Sequence, residues 1–127
     1  MKPIEHIKKE IDAFSSVEWA ACDYPKKTAD DHETADVGWV KFQLSQDKLG
    51  FRTLEFIAWI VTDMRNAGER LHFLPVSPPP HLNEPGKSLC FVLECYPKDG
   101  DQDARFMKVA EFIAWCRNEH WEKCRGA

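Results

Sequence analysis

The chain has no Walker loop, no dinucleotide-binding glycine fingerprint and no H-E-x-x-H segment, so the common phosphate, nicotinamide and zinc-hydrolase readings have no support. It has no serine elbow, and nothing in it announces a base oriented beside a nucleophile. No stretch stays apolar long enough to cross a bilayer, and the opening Met1 to Glu10 lacks the apolar run of a signal peptide. Basic charge is in deficit. Lys and Arg total 17 against 21 Asp and Glu, and the formal charge of -4 leaves no reason to expect a cationic face for a phosphate backbone. Cys22, Cys90, Cys95, Cys116 and Cys124 are odd in number and show no paired C-x-x-C spacing. These absences predict a cytoplasmic chain with reduced, mostly buried thiols, no enzyme activity, no cofactor, no nucleic acid and no membrane among its partners.

What is present fits one ordinary domain. A chain of 127 residues is long enough to bury about two-thirds of the surface that its unfolded form exposes. Hydrophobic content of 43% and charged content of 30% are near globular averages, which argues against disorder. The surplus is aromatic, with five Trp and eight Phe. Such side chains bury large areas, and Trp is enriched where proteins touch one another, so the excess fits a core or an interface.

Periodicity orders the chain. Ile4, Ile7, Ile11 and Phe14 recur at helical spacing and predict a leading amphipathic helix over 3–15. Val17 to Tyr24 and the alternating Trp39 to Leu44 read as strands on either side of a long polar loop. A second helix beginning near Gly50 places Phe51, Leu54, Ile57, Ala58, Val61 and Met64 on one face and stops at Gly68, a residue suited to the left-handed turn after a helix. Leu71 to Val76 and Leu89 to Tyr96 form a second strand pair. A last helix carries Phe106, Val109, Ala110, Ile113 and Cys116 on its apolar face. The expected fold class is α+β in α-ββ-α-ββ-α order, with an antiparallel sheet and helices mainly on one face.

Glu55-Phe56-Ile57-Ala58-Trp59 returns unchanged as Glu111-Phe112-Ile113-Ala114-Trp115. Arg52 then corresponds to Lys108 and Asp63 to Glu119, so charge sign repeats as well. The repeat predicts two ββα units, about 16–68 and about 69–124, within a single domain of residues 1–127. At 100° per residue, Trp59 falls nearly opposite Ile57 and Phe56 falls at the margin of the buried face; Trp115 and Phe112 are placed alike. Either the two helices cover each other's flanks, or Phe56, Trp59, Phe112 and Trp115 form an exposed or dimer-forming patch.

The loops supply further candidates. Pro78, Pro79 and Pro80 stiffen the second hairpin loop beside His81, which either guards a sheet edge or presents a recognition segment. Asp30, Asp31 and Glu33 form an acidic cluster in the first loop that could steer a basic partner. Cys116, His120 and Cys124 follow at steps of four and point to one helix face, which permits a metal but equally continues the buried stripe.

The leading expectation is therefore a small acidic protein that binds another protein, as an inhibitor, immunity-type factor or adaptor. The element order resembles the layout of type III secretion chaperones, a resemblance that implies a homodimer with grooves for an extended peptide. The third expectation is a metal or thiol protein built on Cys116, His120 and Cys124.

Overall fold

The computed structural model describes residues 1–23, 37–76, 89–96 and 102–126. The first helix, α1, spans Pro3–Asp12. Proline suits this first position because its missing N–H would have no helical partner there, and the Glu5 carboxylate accepts the Lys2 backbone N–H at 3.0 Å. The helix ends three residues short of the expected boundary. Beyond Asp12 the chain tightens into i→i+3 bonds, Phe14 N–H to Ile11 and Val17 N–H to Phe14, which turn it toward the sheet. Phe14 stays in the core from this turn, beside Ile4, Ile7 and Ile11.

Strands β1 (Val17–Asp23) and β2 (Gly38–Leu44) form one antiparallel hairpin, and β3 (Arg70–Val76) and β4 (Cys90–Tyr96) form the other. β2 pairs antiparallel with β4, so the sheet order is β1-β2-β4-β3. This order reads the same from either edge when the two hairpins are exchanged. Opposed residues share a face in an antiparallel ladder. Val40 with Leu93 and Phe42 with Phe91 therefore point together into the core, while Trp39 with Glu94 and Lys41 with Val92 share the outer face.

Helix α2 (Lys48–Asn66) starts at Asp47, whose carboxylate accepts the Gly50 N–H and the Ser45 hydroxyl, each at 2.8 Å. These bonds hold the Asp47 carboxyl below the ordinary aspartate range. It ends as the sequence suggests. Gly68 takes φ +97°, its N–H bonds to Arg65, and the Glu69 N–H bonds back to Met64, a Schellman closure.

The buried face of α2 is rotated from the expected one. Gly50, Thr53, Phe56, Ile57, Ile60, Val61 and Met64 turn inward, Leu54 and Ala58 are half-buried, and Phe51 is 51% exposed. The cause is a close approach: a Cβ on Gly50 would collide with the backbone carbonyl of Ser45. The Gly50 side is thereby fixed inward, and Phe51, one residue further round the helix, faces out. Buried Thr53 is satisfied by donating to the Leu49 carbonyl at 2.9 Å, so its oxygen accepts from Ser16.

Helix α3 (Gln102–Cys124) buries Phe106, Val109, Ala110, Ile113 and Cys116, the stripe that periodicity assigns, and adds Trp121. It is tied to both other helices. Arg117 donates to the Glu10 carbonyl at 2.9 Å and lies 3.3 Å from the Glu10 carboxylate, joining it to α1. Glu69 receives Arg105 at 3.1 Å and Lys108 at 3.4 Å, joining α3 to the end of the α2–β3 connection. No described helix is long and apolar enough to cross a membrane.

Candidate protein-binding face on helices α2 and α3

Helices α2 and α3 run antiparallel. Phe56 near the start of α2 meets Trp121 near the end of α3, with ring centroids 5.0 Å apart, whereas Glu69 just past α2 reaches Arg105 near the start of α3. An identical pentapeptide on two antiparallel helices creates a local pseudo-two-fold axis, with partners offset by 56 residues. Both copies are helical.

Within each copy the Phe ring stacks on the Trp three positions later, at 5.8 Å for Phe56 and Trp59 and 6.0 Å for Phe112 and Trp115. His120 stands between the indoles. Its ring meets Trp59 edge-on at 6.0 Å and Trp115 edge-on at 5.2 Å. Aromatic rings thus run unbroken across the seam, from Phe56 through Trp59, His120 and Trp115 to Phe112. Trp59 is 47% exposed and Trp115 is 52% exposed, so this row is capped by water-facing indoles. The four repeated aromatics divide: Phe56 belongs to the core, Phe112 is packed against its edge, and both Trp residues lie at the surface.

Two clefts flank the row. One, of about 450 Å³, has a floor of Phe56 and Trp59 and a rim of Arg52, Glu55, His120 and Lys123. The other, of about 440 Å³, has a floor of Met64, Val109 and Phe112 and a rim of Asp63, Glu69, Lys108 and Glu111. The 56-residue offset carries Arg52, Glu55, Phe56 and His120 of the first onto Lys108, Glu111, Phe112 and Met64 of the second. The clefts are pseudo-symmetric in shape and differ in charge. In the first, Glu55 is taken up by Arg52 at 3.8 Å, leaving Lys123 on the rim; in the second, Glu69 is taken up by Arg105 and Lys108, leaving Asp63 and Glu111.

Four of the five thiols, Cys22, Cys90, Cys95 and Cys116, are poorly suited to chemistry. Burial pushes Cys95 up to about 12, with Glu69 and Glu94 adding to the effect, and pushes Cys116 up to about 11, with Asp63 adding. Cys22 and Cys90 are raised by the same cause. A thiol held protonated is neither a nucleophile nor a ready metal ligand at neutral pH. Of the Cys116, His120 and Cys124 set, Cys116 is fully buried, His120 is half-buried between the indoles and Cys124 is exposed at the cationic cleft. Among the described residues no group of three His, Cys, Asp or Glu side chains is placed to hold a metal ion.

Pro78, Pro79, Pro80 and His81 of the second hairpin loop, and Asp30, Asp31 and Glu33 of the first, lie outside the described residues. Trp121 is absent from the sequence-based site and core, although its spacing of eight from Ile113 continues the helical stripe. The opposite charge of the two clefts is equally absent, because it depends on which end of α3 meets which end of α2. No protein-family model, no curated protein and no solved structure matches the chain.

Proposed function

We propose that the protein works by binding another protein through the α2/α3 face, as an inhibitor, immunity-type factor or adaptor. The observation that carries this reading is the pair of half-exposed indoles, Trp59 and Trp115, held on either side of His120. Trp is the side chain most often found as an energetic anchor at protein contacts, because one residue removes a large apolar area from water. Each indole is already braced by a Phe stack and an imidazole edge, so docking freezes little additional motion. A helical packing role alone gives no reason for water-facing Trp at both pseudo-equivalent positions. The clefts beside the indoles supply recesses for partner side chains, with charged rims that set orientation.

The test compares wild type with Trp59→Ala/Trp115→Ala, both immobilised and exposed to extract from the source cells. The expected result is a defined protein retained by wild type and lost by the double variant, with the helical spectrum unchanged. Equal retention by both proteins rules this face out as the binding surface.

A further inference from the structure

The charges of the two clefts select one occupant for the α2/α3 face. The clefts lie at opposite ends of the helix seam, have nearly equal volume, and carry opposite residual charge, Lys123 on one rim and Asp63 with Glu111 on the other. Consider two copies placed face to face about a two-fold axis that lies in the plane of the face and crosses the line between the clefts. The cationic cleft of each copy then meets the acidic cleft of the other. Both contacts form at once, the spacing matches by construction, and the assembly closes at two subunits. A partner of single charge sign would gain at one cleft and be repelled at the other.

We infer that the α2/α3 face is self-complementary and that a second copy of this chain is its occupant. This rests on the protein-binding reading above and names the partner. Trp59 and Trp115 cluster around His120 between the two charged contacts, where water-excluded anchors contribute most. Any outside partner for the same surface then competes with self-association, so dilution opens the face.

Charge exchange tests the inference directly. Arg52→Glu/Lys123→Glu makes both clefts acidic, and Asp63→Lys/Glu111→Lys makes both cationic; all four side chains belong to exposed residues, and circular dichroism checks each fold. Sedimentation equilibrium of wild type should show a dimer whose dissociation constant rises with salt. Each double variant alone should dissociate more readily, by on the order of tenfold or more. An equimolar mixture of the two should regain dimer, because both cross-contacts are again between opposite charges.

A wild type that is monomeric at every concentration, or a mixture no tighter than either variant alone, overturns the inference. If wild type is monomeric yet Trp59→Ala/Trp115→Ala abolishes capture of an outside protein, the second copy is the wrong occupant and the protein-binding reading stands. If the Trp changes affect neither self-association nor capture, both readings fall.

Discussion

Phe56 and Phe112 hold the same place in the repeated pentapeptide, yet Phe56 is only 4% exposed while Phe112 is half-buried. The difference is what covers them. Trp121 packs on Phe56 at 5.0 Å and on Phe14 at 5.2 Å, whereas the residue 56 positions earlier, the pseudo-equivalent of Trp121, is the exposed Arg65. Trp121 thus breaks the symmetry of the repeat and closes the corner between α1, α2 and α3.

Trp121→Ala should therefore cost about 3–5 kcal/mol, the range for emptying a buried aromatic site. Trp59→Ala and Trp115→Ala, which remove half-exposed indoles, should each cost about 1 kcal/mol or less. Urea unfolding of the three variants separates them. A Trp59 variant as unstable as the Trp121 variant would return the repeated indoles to the core and remove the basis for a docking face.

Arg117 ties α3 to α1. Its guanidinium satisfies the Glu10 backbone carbonyl, pairs with the Glu10 carboxylate and lies over the Phe14 ring at 5.7 Å. Both paired side chains are mostly shielded from water. Arg117→Ala strands the carboxylate and carbonyl together and should cost about 2–3 kcal/mol, in line with losing a hydrogen-bonded charge from a part-buried site. Arg52→Ala, which breaks an exposed pair with Glu55, should change stability by about 0.5 kcal/mol at most. Equal effects of the two would show that α1 is held by its isoleucines alone.

The buried thiols make stability fall in alkali. An unfolded cysteine ionises near 9.0, whereas Cys95 in the folded chain ionises at about 12 and Cys116 at about 11. Above pH 9 the unfolded state releases protons that the folded state keeps, so stability is full below that pH and is lost as pH climbs toward 12. Melting temperature should drop across this window, and Cys95→Ala should flatten the dependence even though it lowers stability overall. A thiol reagent at neutral pH should label Cys124, which is exposed, well before Cys95 or Cys116. Mass spectrometry of the labelled protein checks the order.

Much of this architecture is written locally. The spacing of Ile4, Ile7 and Ile11, the alternation from Trp39 to Leu44, the stripe from Phe106 to Cys116 and the left-handed Gly68 each follow from interactions within a few residues, and each is where the sequence places it. The repeat marks the two indoles and the wheel sets them opposite Ile57 and Ile113, but whether the neighbouring helix covers them is open until the helices are placed, which leaves both half-exposed. What local pattern misses depends on contacts distant along the chain. Trp121 becomes core only because Phe14 and Phe56 converge on it, and the clefts acquire opposite charge only because α3 lies antiparallel to α2.

The orientation of α2 is the clearest case of a long element steered by a small contact, and it yields the last prediction. On periodicity alone Phe51 belongs to the buried face, since Phe51, Leu54, Ile57, Ala58 and Val61 fall at helical spacing. Gly50 overrides that pattern by packing its α-carbon against the Ser45 carbonyl, where no side chain fits. Asp47 reinforces the arrangement by accepting the Gly50 N–H. Gly50→Ala must push the first turn of α2 away from Ser45 and should cost about 1–3 kcal/mol, the range for overpacking a close-fitted site. Phe51→Ser removes a large apolar residue from the same turn, yet should alter stability by only about 0.5 kcal/mol because Phe51 already faces water. Thermal melts of the two variants decide the matter: a neutral Gly50→Ala beside a costly Phe51→Ser would mean that α2 buries the face its periodicity suggests.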